Sequence, residues 1–213
     1  MLKILLASGN KKKLGELRNI LEDFQLPVQV VSPAELGLSL DDLKDADGRP
    51  ISLEEDGDTF AANALIKAEG LFRATGLPCL SDDSGLCVDA LNGEPGVFSA
   101  RYGGEGLTDE ERNSLLLENL SSFDVEQRTA RFKCVLCFVQ PDQEPRYFQG
   151  EVEGSIAFAP SGSAGFGYDP VFIESSTGQC FAELSSAAKA ELSHRGQALR
   201  SFARYLRSIV QPP

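Results

Sequence analysis

Apolar residues in this chain alternate between two spacings. Near the start, Leu2, Ile4, Leu5, Leu6 and Ala7 form a short run that stops at Ser8-Gly9-Asn10. A run of this kind, closed by turn formers, predicts a buried strand over residues 3–7. Residues 11–24 then place Leu14, Leu17, Ile20, Leu21 and Phe24 on one side of an amphipathic helix. A second strand is predicted over 27–31. Strand, helix and strand in this order imply an α/β architecture. Residues 32–58 lose all periodicity and become acidic, and so long a loop inside a compact domain is usually functional or mobile. The helical period returns over 59–75, with Phe60, Ala64, Leu65, Ala68, Leu71 and Phe72 on one side and Asp58 as a candidate N-cap. Gly76-Leu77-Pro78 stops it.

Two short apolar pieces then flank Ser81-Asp82-Asp83-Ser84-Gly85-Leu86, predicting buried strand ends that meet at a tight turn. Residues 91–104 are glycine-rich and irregular. A helix over 108–120 opens with a capping box, Thr108 to Glu111. Strands over 131–139 and 147–156 form a hairpin with a longer loop. A glycine-aromatic segment, 159–170, leads to a short strand over 171–173. A helical piece over 183–193 precedes a last amphipathic helix over 195–210. Gln211-Pro212-Pro213 are expected to fray. No repeat or linker divides the sequence, so one domain over 1–213 is expected.

Charge narrows the function classes. Twenty Lys and Arg against 32 Asp and Glu give 20 − 32 = −12. That balance argues against nucleic acid or a membrane surface as partner, while leaving room for a local basic pocket. The opening apolar run is too short for a signal peptide and no segment is long enough to span a bilayer, so a cytoplasmic protein is expected. The five cysteines are odd in number and read as reduced thiols. Cys134 and Cys137 have C-x-x-C spacing, but on a strand residues three apart face opposite ways, and no second pair completes a zinc site.

Three stretches carry chemistry. Ser8-Gly9-Asn10 followed by Lys11, Lys12 and Lys13 puts three cations at a helix N-terminus, against the preference of the helix dipole. A helix start of this kind offers free amide donors to phosphate. Asp82 and Asp83, adjacent and beside Ser84 and Gly85, would repel unless donors or a cation compensate. The residues support a plain turn and a divalent-cation site equally. Glu54 to Asp58 could supply further ligands, or simply cap the next helix. Phe166 and Tyr168, set among glycines, are expected to stand exposed and could lay a ring on a planar ligand, or plug the core. Asn63 and Lys67 share a helix face, and the lone His194 belongs to no nucleophile elbow or triad. With no candidate nucleophile, direct attack by water is the simplest chemistry.

Six motifs occur in order: Ser8-Gly9-Asn10-Lys11-Lys12-Lys13; Asn63-Ala64 with Lys67-Ala68; Ser81-Asp82-Asp83-Ser84-Gly85-Leu86; Pro95-Gly96-Val97-Phe98-Ser99-Ala100-Arg101-Tyr102; Gly165-Phe166-Gly167-Tyr168-Asp169-Pro170; and Ser193-His194-Arg195-Gly196. In these the chain resembles the inosine triphosphate pyrophosphatase family, which hydrolyses ITP, dITP and XTP to the monophosphate and pyrophosphate. The resemblance implies an elongated α/β fold with a long mixed central sheet flanked by helices, and two lobes with a substrate cleft between them. It also implies a homodimer and Mg2+ dependence. By position, Ser8, Gly9, Asn10, Lys11, Lys12 and Lys13 would hold the triphosphate with help from Lys67. Asp83 would be the catalytic carboxylate and a metal ligand, with Glu54 the second ligand. Ser84 would touch substrate. Phe166 would stack on the base, Gly167, Tyr168 and Asp169 would line its pocket, and Lys189, His194 and Arg195 would read the base and its 6-oxo group. Ser8 stands where the family often has Thr, and Ala62 where bacterial members often have Glu. Residues 38–51 look longer than usual, which leaves Glu55 as the alternative to Glu54. Two competitors are a Maf-type pyrimidine nucleotide pyrophosphatase and a nucleotide-binding sensor without turnover.

Overall fold

The computed structural model describes residues 1–210; the expected fraying of Gln211 to Pro213 lies outside them. Six strands form one mixed sheet in the order β2-β1-β3-β4-β5-β6. They are β1 (Leu2–Leu6), β2 (Val28–Val31), β3 (Cys79–Val88), β4 (Thr129–Val139), β5 (Arg146–Ile156) and β6 (Phe172–Glu174). β1 runs parallel to β2 and to β3, and β5 pairs antiparallel with β6. The helices are α1 (Lys11–Asp23), α2 (Phe60–Thr75), α3 (Asp109–Asn119), α4 (Ser186–Leu192) and α5 (His194–Val210). No helix among the described residues is long and apolar enough to cross a membrane.

The chain forms two compact units. One comprises Met1–Asp83, Val135–Gln149 and the chain from Ala198 onward; the other comprises Ser84–Cys134 and Gly150–Gln197. In the first unit, Leu5 and Val31 of the parallel strands, with Ala7 just after β1, pack with Leu71 of α2 and Cys79 of β3. Ala64 and Ala68 of α2 meet Cys137 and Val139 of β4. On a different face of α2, Gly70 lies against the loop that precedes the helix. A Cβ on Gly70 would lie 2.3 Å from Leu53 Cδ2. All five cysteines are free thiols, so Cys137 serves as apolar packing.

The second unit is built on Leu86 and Val88 of β3, Leu116 and Leu120 of the α3 segment, Phe132, Val152, Phe172 and Phe181. Arg128 sits inside it at 1 % exposure. Its guanidinium donates to the carbonyls of Leu120, Ile156 and Ala157 at 2.7–2.9 Å, and Phe158 lies over it at 4.4 Å. Burial alone lowers its pKa from the ordinary arginine value.

Several predicted boundaries move. The tight turn expected at Asp82-Asp83 does not exist. β3 runs unbroken through it, because nearly every residue from Cys79 to Val88 is shielded from water and the ladder satisfies the backbone. Residues 89–91, which close the second of the two apolar pieces, form a short 3₁₀ turn. Thr59, not Asp58, caps α2, accepting from the Ala62 amide at 3.1 Å. The helical piece over 183–193 resolves into a 3₁₀ turn, Phe181–Glu183, and then α4. The acidic loop holds two 3₁₀ turns and a hairpin-like pinch. There Asp45 accepts from the amides of Asp47 and Arg49, and Arg73 pairs with it. These bonds hold its carboxyl below the usual range.

Candidate active site

The first unit carries an array of paired charges. Asn10 caps α1, its Oδ1 accepting from the amides of Lys12 and Lys13, while Ser8 Oγ accepts from the Asn10 amide. Lys11 and Lys12 stand exposed at this helix start. Lys13 turns inward, and its Nζ lies 2.8 Å from Asp82 Oδ2, whose side chain is 4 % exposed. Successive residues of a strand face opposite ways. So while Asp82 meets Lys13 of α1, Asp83 meets α2: Asn63 Nδ2 donates to Asp83 Oδ2 at 3.0 Å. A continuous strand separates the two carboxylates better than a turn would, and gives each its own donor.

Asn63, at 1 % exposure, also accepts from the Gly57 amide at 2.8 Å. It therefore ties the end of the acidic loop to the strand that carries Asp83. Gly57 has to be glycine for this approach, since a Cβ there would lie 2.7 Å from Ala62 Cβ and 2.8 Å from Asn63 Oδ1. One turn on, Lys67 Nζ pairs with Glu55 Oε2 at 2.7 Å. Glu54 is exposed, and its amide bonds Ser52 Oγ. The structure thus brings Glu55, rather than Glu54, to the helix face that holds Asn63 and Lys67. Among the described residues no group of three or more His, Cys, Asp or Glu forms a protein-only metal cage. Two oxygen ligands from protein do match magnesium, which takes one or two carboxylates and completes its shell with phosphate and water.

In the second unit, the glycine-aromatic segment splits. Phe166 is 40 % exposed, whereas Tyr168 is buried and its hydroxyl donates to the Ser99 carbonyl at 2.9 Å. Tyr168 is thus the plug and Phe166 the exposed ring, which corrects the expectation that both rings stand exposed; burial raises the Tyr168 pKa. Cations flank this ring. Lys189 Nζ lies 4.7 Å and Arg195 Cζ 5.7 Å from the Phe166 ring centroid. Lys189 is also ion-paired with the buried Asp169. Asp169 Oδ2 accepts the Phe166 amide at 2.7 Å, and a Cβ on Gly165 would fall 2.1 Å from that oxygen. Arg195 donates to Ser84 Oγ at 3.1 Å. His194 is 8 % exposed, and its ring stacks on Phe132 at 4.8 Å and 9°.

Sequence reasoning missed the work of Ser99. Its hydroxyl accepts from the Leu86 amide and donates to the Gly96 carbonyl, fastening the 96–101 turn to β3. A serine inside a glycine-rich stretch gives no periodic signal that could have shown this.

Together these features describe an α/β protein with a lysine-rich helix start and partnered carboxylates in one unit, and an exposed aromatic ring flanked by cations in the other. The chain belongs to the Ham1 family, whose description matches residues 4–205. It is 45% identical over 209 residues to the dITP/XTP pyrophosphatase of Yersinia pseudotuberculosis, covering 97% of this chain and 99% of that one. It is 48% identical over 201 residues to a dITP/XTP pyrophosphatase of Thermus thermophilus, covering 94% and 90%. The solved structure of a HAM1 protein from Coxiella burnetii superposes with a TM-score of 0.86 at 42% identity, covering 98% of this chain and all of that one.

Proposed function

We infer that this protein is a nucleoside-triphosphate pyrophosphatase that hydrolyses non-standard purine nucleotides, dITP, ITP and XTP, to the monophosphate and pyrophosphate. The observation that carries the reading is Asp83, held by Asn63 on the strand next to the Asp82–Lys13 pair. It stands in a chain 42–48% identical over nearly its whole length to proteins named for that activity. Lys11, Lys12 and Lys13 at the start of α1, with Lys67, neutralise the phosphates. Water attacks and the α–β anhydride breaks, releasing pyrophosphate, with Asp83 receiving the proton. Asp83 and Glu55 would be the residues to hold Mg2+, which when bound would neutralise developing phosphate charge.

Phe166 stacks on the base, and Lys189 and Arg195 donate to its 6-oxo group; their cations at 4.7 and 5.7 Å from the Phe166 ring centroid support this reading. Adenine presents a donor at that position, and buried groups left unpaired reject such a competitor strongly, by ~10⁴ or more. His194, buried on Phe132, acts by setting the start of α5 and so the place of Arg195. The enzyme works as a cytoplasmic homodimer on free nucleotides.

Pyrophosphate release from ITP, XTP, dITP, GTP, ATP, dTTP and UTP, with Mg2+ and with a chelator, tests this. Release from the first three alone, lost on chelation, is expected. Release from pyrimidine nucleotides alone would move the protein to a Maf-type activity, and binding without release would make it a sensor.

A further inference from the structure

We propose that Asp109 and Asn113 of α3 are positioning residues that fix Phe166 in place by clamping its neighbour, Gly167. Asp109 Oδ2 accepts from the Gly167 amide at 2.7 Å, and Asn113 Nδ2 donates to the Gly167 carbonyl at 3.0 Å. Residues four apart share one face of a helix, so a single helix holds both backbone groups of a single glycine. The glycine sits at φ 60°, where a residue without a Cβ is favoured. On the other side of the ring, Asp169 holds the Phe166 amide. The peptides on both sides of Phe166 are therefore bound by side chains, which leaves the ring little freedom beside Lys189 and Arg195.

Stability alone does not account for these two residues. Asn113 is 4 % exposed, and its Oδ1 has no hydrogen-bond partner among the described residues. A buried amide satisfied on one side costs free energy that an apolar residue of similar size would avoid. Asp109 is redundant as a dipole partner, because Glu110 and Glu111 share the first turn and Glu111 closes the capping box with Thr108. What both residues supply, and their neighbours do not, is a hold on Gly167.

The inference rests on Phe166 being the base platform, and the experiment separates the two claims. The chain has no tryptophan, so Phe166→Trp places one reporter at the ring. In that background Asn113→Ala and Asp109→Ala should each raise acrylamide quenching of the tryptophan and lower its anisotropy, while Asp109→Asn, which keeps an acceptor oxygen, should restore most of the wild-type signal. In the native background Asn113→Ala should raise KM for ITP roughly tenfold, the scale of one lost base stack, with kcat within about twofold. It should add nothing further once Phe166 is alanine.

Unchanged quenching in both variants would overturn the clamp. So would a KM effect of the same size with Phe166→Ala already present. Should Asn113→Ala fail to fold, the exposed Asp109→Ala carries the same readouts. A loop that loosens as stated in a protein that does not hydrolyse ITP would support the clamp and sink only the pyrophosphatase reading.

Discussion

At the scale of single residues, the site depends on what each carboxylate is given. Asp82 has a cation and Asp83 has an amide donor, although the two are neighbours in sequence. Asp83→Asn keeps the shape of the strand and removes the proton acceptor. We expect kcat to fall ~10²- to 10⁴-fold with an unchanged circular dichroism spectrum, and undiminished turnover would remove Asp83 from the catalytic role. Arg195→Ala should reduce the ratio of kcat/KM for ITP over ATP. If that ratio stays put, Arg195 does not read the base. The motif residues around both groups were legible in the sequence, because chemistry at these sites demands particular residue types. The donor–acceptor pairings were not. Glu55 and Glu54 are equally acidic and adjacent, and only the path of the loop into Gly57 decides which one reaches Lys67.

At the scale of elements, side chains bind helices to strands. Lys13 links α1 to β3 through a carboxylate that is almost fully buried. Removing one partner of such a pair strands the other charge. Lys13→Met should therefore destabilise the fold by about 3–5 kcal/mol, and the double variant with Asp82→Asn should recover much of the loss. Urea midpoints of the four proteins in the cycle would measure it, and additive effects would mean that the pair is not coupled. Arg128 does comparable work in the second unit, where one of its three carbonyl acceptors lies just past α3 and the other two at the end of β5 and just beyond it. Arg128→Met leaves all three without that donor and should cost about 3 kcal/mol or more, read as a lower thermal midpoint. Periodicity revealed most of these elements, because an amphipathic helix or a buried strand is a local pattern. It failed at β3, where two acidic residues and a glycine look like a turn until the donors on neighbouring elements are known.

At the scale of the whole molecule, ionisable groups in the core set the pH range of stability. Burial raises the Cys137 thiol from 9.0 to about 12. Burial also pushes Cys79 and Tyr168 upward. Unfolded, the Cys137 thiol loses its proton near pH 9; folded, it keeps that proton until about pH 12. Between those values the unfolded chain binds fewer protons, so stability falls as pH rises, by at most about 1.4 kcal/mol per pH unit for each such group. The contribution is complete below about pH 9. Urea midpoints taken between about pH 8 and about pH 11 should decline, and Cys137→Ala should flatten the decline; a flat wild-type profile would contradict the burial of these thiols.

Residue order alone carries the α/β class, the acidic balance, most helices and strands, and the six motifs that place the chain in its family. Each of these is written in residue type and local spacing, which burial periods and backbone preferences turn directly into structure. The folded chain alone reveals that Asp82 and Asp83 face different helices, that Glu55 meets Lys67, that Tyr168 is core while Phe166 stays exposed, and that α3 holds Gly167. Those contacts join residues from about a dozen to more than fifty positions apart. Their partners are chosen by packing, which no local pattern encodes.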